Sequence, residues 1–178
     1  MIQGRHGSGG LAGCTHAPHG HLYWSVERRV HCHAQRIPSR STGDAEMKPA
    51  GDIGAQFPPL AGAPISPETV RQFSLVQRDF NPIHVSAAAA QAAGFDGPII
   101  HGVFIIGQFE RLIRSWQAMN ILSLQGRFLR PVSVGAVLVL SGRVLQKAGD
   151  ELDLRLLAKD GTGKLVAAGE AKVRIKSS

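Results

Sequence analysis

Apolar side chains recur at helical spacing in the middle of the chain and at strand spacing towards its end. A first helix of about three turns is predicted up to Gln77, and Asn81-Pro82 breaks the pattern because a residue before proline avoids the helical region. A short alanine-rich helix is predicted at 86–93, with Gly94 as the residue that ends it. The first helix is indicated by its start signals and its apolar stripe, namely Ser66, Pro67, Val70, Phe73 and Val76.

The longest helical pattern runs from His101 to Met119. Its apolar residues fall on one face, whereas Glu110 falls elsewhere. Gly107 is a poor helix former, so its presence predicts that another backbone passes close to this helix. The apolar face consists of Ile105, Phe109, Leu112, Ile113 and Trp116.

From Ile121 onward the apolar period becomes two, as in half-buried strands. Turn residues separate the runs at Gly149-Asp150 and at 160–163, and a Pro/Gly-rich lead-in at 51–64 has room for one short strand. Helices followed by an antiparallel meander predict an α+β fold with one long helix against a sheet. The clearest alternating positions are Leu152, Leu154 and Leu156, followed by Ala171, Val173 and Ile175.

The first 46 residues differ from the rest, because they contain both cysteines and six of the eight histidines but no periodic apolar face. We expect residues 1–46 to be a disordered or spurious extension and 47–178 to form the single domain. Met47 opens the patterned part, so an over-long start assignment is the simplest explanation. A zinc site is an alternative, but the cysteine and histidine spacing matches no paired ligand motif. A mitochondrial presequence is another, although the glycine and histidine excess disturbs its amphipathic pattern.

The formal net charge of +7 would suit a nucleic acid, a membrane surface or an anionic small ligand. The positive residues are scattered singly, which argues against nucleic acid. Apolar runs stay far below the ~18 residues that span a bilayer. The absence of cysteine after residue 46 is typical of a cytoplasmic protein without disulfides. We therefore expect a cytoplasmic protein that binds neither nucleic acid nor a membrane.

Candidate chemistry lies around Asp79 and His84, which a proline-containing turn can bring to one point. A carboxylate and an imidazole that share one water can remove its proton and return a proton to a neighbouring carbon, and Asn81 can orient that water. Gly102 lies at a predicted helix start, where free N–H groups and the helix dipole favour an enolate oxygen. Ordinary alternatives are a plain turn, a satisfied polar histidine and a closely packed glycine, and these residues alone leave both interpretations open.

The stretches Asp-Phe-Asn-Pro-Ile-His at 79–84 and Gly-Phe-Asp-Gly-Pro-Ile-Ile-His-Gly at 94–102 resemble the hydratase-2 motif of the MaoC-like dehydratases. That family contains (R)-specific enoyl-CoA hydratases and 3-hydroxyacyl dehydratase subunits. The similarity extends from about Gly51 to the last strand and includes none of the first 46 residues. It implies a single hot-dog fold, in which an antiparallel sheet wraps around the long central helix and the segment 79–94 forms an overhang that carries the active site.

The resemblance also implies roles for individual residues. Asp79 and His84 would be the catalytic dyad, Asn81 would support them, and the Gly102 N–H would bind the thioester oxygen. Pro98, Ile99 and His101 are expected at the substrate pocket. Arg78, Arg127 and Arg130 are candidates for contacts with substrate phosphates.

The activity that the resemblance implies is reversible (3R)-specific hydration of trans-2-enoyl thioesters, without a metal or cofactor. An acyl-CoA or acyl carrier protein thioester is anionic, in agreement with the net charge. The expected assembly is a homodimer, with a heterodimer as the alternative. The chain departs from the family at Arg78, where a glycine is usual, and at Ser86, where an acid is frequent.

Two rival functions remain open. A hot-dog thioesterase needs a carboxylate near the middle of the long helix, where Glu110 lies off the apolar face. A non-catalytic acyl-thioester-binding subunit of a heterodimer is the second rival, but it has no chemical need for Asp79 and His84 together.

Overall fold

The computed structural model describes residues 51–116 and 118–176. The predictions for residues 1–46, including the zinc site and the presequence, lie outside the described residues. Within the described ranges, one short strand lies in the lead-in, the helices follow it, and the long antiparallel strands come last. The predicted order of elements is therefore confirmed.

Two helices precede the long one. α1 covers Pro67–Gln77 and begins where predicted, because the Ser66 hydroxyl accepts a hydrogen bond from the Thr69 N–H at 3.1 Å. A 3-10 turn follows at Pro82–His84, and α2 covers Ala87–Ala92.

The long helix, α3, covers Gly102–Trp116. Its predicted end at Met119 is wrong, since Met119 is buried in the next strand and pairs with Ile175. An apolar residue fits a helical or a strand pattern equally well, and only the pairing partner decides. Gly107 is exposed, and an added Cβ there would meet nothing within 4 Å in the described part of the chain, so the predicted close approach of another backbone is not found there.

The strands form one antiparallel sheet in the order β1-β3-β4-β5-β2. The long strands β3, β4 and β5 are joined by the two predicted turns, in which Gly149 and Gly163 have φ of 62° and 83°. The Asp160 carboxylate accepts hydrogen bonds from the Thr162 and Lys164 N–H groups at 2.9 and 3.0 Å and holds the second turn. The strand bounds are β1 Leu60–Ala61, β2 Met119–Phe128, β3 Leu138–Ala148, β4 Glu151–Asp160 and β5 Leu165–Ile175.

The core lies between α3 and the concave face of the sheet. Phe109 is fully buried and its ring fills the space above Gly169, where an added Cβ would lie 2.9 Å from the ring. The close approach between helix and sheet therefore requires its glycine on β5. Four residues of α3 are buried, Ile105, Phe109, Leu112 and Ile113, and so are Leu152, Leu154, Leu156 and Val173 of the sheet.

This arrangement, an antiparallel sheet packed around one long helix, confirms the single hot-dog fold expected from the resemblance. The segment between α1 and α3 lies outside the sheet as the expected overhang. Among the described helices, none has the length and apolar character that crossing a membrane requires.

The end of α1 sets the direction in which the chain enters the overhang. The Asp79 N–H donates to the Ser74 carbonyl at 3.0 Å and the Arg78 N–H donates to the Leu75 carbonyl at 3.3 Å. These two bonds form a Schellman motif, which needs a left-handed residue between them. Arg78 takes that conformation, with φ 54° and ψ 35°. The departure from the family's glycine therefore falls at the position where glycine is conformationally favoured.

We expect Arg78→Gly to raise the free energy of unfolding by about 0.5–1 kcal/mol, because a side chain is unfavourable in the left-handed region. Chemical denaturation measures this change. Arg71→Gly, in the interior of α1, is the matched control and should lower stability by about 1 kcal/mol. A loss of stability in both variants would contradict the conformational assignment of Arg78.

Candidate active site

The site is assembled from three separate parts of the chain. α1 ends next to Asp79, the 3-10 turn carries His84, and the start of α3 carries His101 and Gly102. The main chain before α3 is pinned to the opposite loop by the Ile100 N–H, which donates to the Val132 carbonyl at 2.8 Å. The Ile99 N–H donates to the Ile83 carbonyl at 3.2 Å, so the two motif stretches that lie apart in sequence meet in space.

The Asp79 carboxylate has one oxygen fixed and one directed at His84. Its Oδ1 accepts a hydrogen bond from the Asn81 N–H at 3.2 Å, and its Oδ2 lies 3.7 Å from His84 Nε2. The Asp79 side chain is 48% exposed. A gap of 3.7 Å is too long for a direct hydrogen bond, but both atoms could contact one bridging water.

His84 is buried, with 8% of its surface exposed, and its ring is oriented by a main-chain acceptor. Its Nδ1 lies 2.8 Å from the Ile99 carbonyl oxygen. A carbonyl can only accept, so Nδ1 carries the proton and donates it to this bond. In neutral His84 the lone pair is therefore on Nε2, the nitrogen that faces Asp79.

His101 lies behind His84, away from solvent, with 4% of its surface exposed. The two imidazole rings are stacked, with centroids 3.7 Å apart and planes 25° apart. His101 Nε2 lies 3.2 Å from the Ser74 hydroxyl oxygen, and that hydroxyl donates to the Val70 carbonyl at 3.1 Å. Since the serine has one proton and uses it on Val70, the bond between the two side chains is donated by His101 Nε2.

Ser74 is a site residue that the sequence prediction missed. The available signal was a polar residue at the position four after Val70, on the apolar side of α1, where both side chains are buried. Buried serines usually bond back to their own helix, as this one does, so the pattern alone does not reveal its second partner.

The other predicted residues make contacts that shape the site. The Asn81 side chain accepts a hydrogen bond from the Ile83 N–H at 3.2 Å and caps the 3-10 turn. The carbonyls of Pro98 and Ile99 accept hydrogen bonds, from the Val134 N–H at 2.9 Å and from His84. These three contacts organise the site through the backbone.

Gly102 and Arg130 occupy contrasting positions. Gly102 opens α3, and an added Cβ would lie 2.8 Å from the Phe128 ring, so close packing alone requires a glycine there. Arg130 is exposed, and its guanidinium donates to the Leu165 carbonyl. This bond occupies one of the guanidinium N–H donors that could otherwise contact an anion.

Asp79, His84 and His101 each offer a possible metal ligand, and the three ligand atoms lie within 4.8 Å of one another. Imidazole lone pairs lie in the plane of the ring, so two ligands must direct their planes towards the ion. The nearly parallel stack of the two histidines does not do so. The geometry fits a hydrogen-bonded cluster better than a metal centre.

Burial lowers the pKa of His101 below its ordinary value, and the neighbouring His84 lowers it further. Asp79 opposes this shift through its charge and its main chain. Because the net shift is downward, the folded protein favours the neutral ring.

The sheet around α3 and the acid–imidazole pair beside it define a hot-dog domain with a candidate active site in its overhang. The family model described as a MaoC like domain matches residues 50–156, more than half of the chain. The chain belongs to the MaoC-like dehydratase family.

Individual relatives agree with this membership. The chain is 31% identical over 163 residues to peroxisomal multifunctional enzyme type 2 of Drosophila melanogaster, covering 80% of this chain and 26% of that protein. It is 29% identical over 111 residues to (R)-specific enoyl-CoA hydratase of Aeromonas caviae, covering 60% of this chain and 83% of that enzyme. The alignment thus spans about a quarter of the Drosophila protein.

The fold is also found in solved structures. A chain of the ChsH1-ChsH2 complex from Mycobacterium tuberculosis is similar with a TM-score of 0.65 and 19% identity, covering 70% of this chain and 98% of that chain. At this level of identity the likeness shows the fold.

We expect the lowered pKa of His101 to make the protein less stable in acid. Below the ordinary value of 6.5, the unfolded chain binds a proton that the folded chain resists, so stability falls as the pH drops through the folded pKa. His101→Phe should have a shallower decline of the free energy of unfolding between about pH 7 and pH 5. Equal declines in both proteins, or an NMR titration of His101 at or above its ordinary pKa, would contradict this.

Proposed function

We propose that this domain catalyses reversible hydration of trans-2-enoyl thioesters to (3R)-3-hydroxyacyl thioesters. The observation that carries the proposal is the pairing of Asp79 Oδ2 with His84 Nε2 at 3.7 Å, while His84 Nδ1 is held by the Ile99 carbonyl. A pair of acceptors directed at one point fits a water that must be activated and oriented.

In the hydration direction, the water oxygen forms a bond to carbon 3 of the enoyl group. Neutral His84 is suited to accept the water proton at Nε2, since Nδ1 already carries the other proton. The carbon–carbon double bond then opens towards the thioester carbonyl, and the pair returns one proton to carbon 2. One water is consumed and no redox step occurs, so the chemistry needs neither a metal nor a redox cofactor.

Negative charge develops on the thioester oxygen during this step. The first N–H groups of α3, beginning at Gly102, are suited to bind it, because they have no carbonyl four residues earlier within the helix. The positive end of the helix dipole adds to this stabilisation. Asn81, which caps the turn between the dyad members, would keep their spacing constant.

The relatives support this class of reaction and this stereochemistry. One similar protein is named an (R)-specific enoyl-CoA hydratase, and the alignment covers most of its length. The substrate would be an acyl thioester of coenzyme A or of an acyl carrier protein. Arg78, which is exposed and adjacent in sequence to Asp79, is a candidate for contact with its phosphates. The cytoplasmic location remains a prediction, since another relative is named as peroxisomal.

The thioesterase alternative has less support. Glu110 of α3 is half-buried, and its carboxylate pairs with Arg114 at 2.8 Å within the same helix. The partner of Glu110 is thus a cation of its own helix that holds Oε1, whereas Asp79 Oδ2 lies beside the imidazole of His84.

We also propose that the working form is a dimer, as a homodimer or with a related partner. β2 has a single neighbour, β5, among the described strands, so its other edge exposes unpaired backbone groups. The last turn of α1 and the overhang expose apolar side chains, which a second subunit would cover. They are Leu75, Val76, Phe80 and Val85, at 54–79% exposure. A relative of the same fold is part of a two-protein complex, which supports the heterodimer alternative.

Asp79→Asn and His84→Ala should each lower kcat for hydration of an enoyl-CoA by at least about 10²-fold, the scale of a positioned acid or base. Loss of enoyl absorbance measures the rate, and chiral analysis of the product tests the (3R) assignment. Glu110→Gln is the matched control for loss of a carboxylate and should retain activity. Near wild-type hydration by either dyad variant would refute the mechanism, and hydrolysis that depends on Glu110 would favour the thioesterase.

Light scattering should give twice the mass of a single chain. Leu122→Lys, at the irregularity in β2 where the residue is 38% exposed, should weaken the dimer because it places a charge at the pairing edge. Ile53→Lys is the control, since Ile53 is 69% exposed in the lead-in before β1. A fully active monomer would contradict the assembly, and a monomer that gains activity with a second subunit would favour the heterodimer.

A further inference from the structure

We propose that Ser74 and His101 are positioning residues that hold the His84 ring with its Nε2 directed at Asp79. The inference rests on the proposed function, because it assigns a role to groups behind the same dyad. It replaces the expected substrate contact of His101 with a contact to the catalytic imidazole.

Two contacts together orient the His84 side chain. The hydrogen bond to the Ile99 carbonyl fixes the direction of Nδ1 but does not by itself fix the tilt of the ring plane. The stacked His101 ring, with centroids 3.7 Å apart, closes one face and fixes the plane. Bond and stack together determine where Nε2 points.

His101 is itself held by side chains of α1. Its Nε2–H donates to the Ser74 hydroxyl oxygen at 3.2 Å, and Ser74 is tied to its own helix through the Val70 carbonyl. The Phe73 ring contacts another side of His101, with centroids 5.2 Å apart. α1 therefore fixes His101 in the way that a carboxylate or carbonyl behind an imidazole fixes ring orientation in other sites.

Ser74 also contacts Asp79, so the same serine positions both members of the dyad. The Ser74 carbonyl accepts the Asp79 N–H at 3.0 Å, while the Ser74 hydroxyl accepts from His101. One residue of α1 thus sets the carboxylate through its main chain and the imidazole through its side chain. The 3.7 Å separation of the dyad depends on both connections.

His101 is suited to this role only as a neutral ring. A protonated ring would place a positive charge against His84, and burial opposes that charge through the lowered pKa. The charged groups that influence His101 are His84 and Asp79, and the faces towards α1 are closed by Ser74 and Phe73. A buried neutral imidazole whose Nε2–H is occupied by Ser74 is suited to hold the neighbouring ring.

The test compares Ser74→Ala, His101→Phe and His101→Leu by steady-state kinetics with crotonyl-CoA. Ser74→Ala and His101→Phe lose the hydrogen bond but keep a ring against His84, so kcat should fall about 10-fold with KM changed by less than about 2-fold. His101→Leu loses the ring as well and should fall further. A rise in KM at unchanged kcat would overturn the proposal in favour of a substrate contact.

Ser115→Ala is the matched control, because the Ser115 hydroxyl donates to the Leu112 carbonyl of α3 as Ser74 does in α1, but on an exposed face. It should leave kcat unchanged. Each variant is also made in the His84→Ala protein. If His101 acts only through His84, it should cause no further loss there, whereas multiplicative losses would overturn the proposal.

A second readout separates this proposal from the proposed function. Nitrogen NMR of the histidine rings should find His84 as the Nδ1–H tautomer in the wild type and a mixture of tautomers in His101→Leu, because a ring that tilts without the stack loses its bond to the Ile99 carbonyl. An unchanged His84 tautomer would overturn the positioning role even if hydration is confirmed. If hydration is absent but the tautomer changes, the positioning is retained and the proposed function fails.

Discussion

The packing of α3 against the concave face of the sheet is the constraint on which the site depends. Phe109 fills the space above Gly169, and this contact fixes how far α3 lies from β5. This distance between α3 and the sheet in turn fixes the position of the first residues of α3. The segment before it is pinned where Ile100 bonds to the Val132 carbonyl. Hydrophobic burial thereby sets the position of His101 and Gly102, although neither contributes much apolar surface itself.

The second fixed point is the end of α1. A helix that stops in a Schellman motif turns the chain sharply, and here the turn presents the Asp79 side chain to the next segment. Arg78 accepts an unfavourable conformation to make this turn. The conformational cost at Arg78 has a function in this interpretation, because the turn directs Asp79 towards His84. The packing of the rest of the fold does not require that direction.

Periodicity and turn chemistry predicted the hot-dog elements because each of them depends on burial along one face or on a glycine in a turn. The end of α3 was mispredicted because Met119 fits both a helical and a strand pattern. The interpretation of Gly107 failed because the sequence does not show which residues surround a glycine in the fold. Asp79 and His84 were candidates from their spacing, and their role as a dyad came from the resemblance to the family. Ser74 was not, because its contact with His101 joins residues 27 apart in sequence, which no local pattern encodes.

The exposure of the dyad connects its chemistry to assembly. His84 is buried, but Asp79 is 48% exposed beside a group of exposed apolar side chains that includes Phe80 and Val85. Hydrogen bonds to a developing negative charge are strongest where bulk water is excluded, so a single chain presents a correctly arranged pair in an environment that weakens it. A surface that covers Phe80 and Val85 would lower the local dielectric constant around Asp79 without moving any group that α1 and α3 have already fixed. In the proposed dimer, the single domain would therefore supply the geometry of the site, and the subunit that covers the overhang would supply its environment.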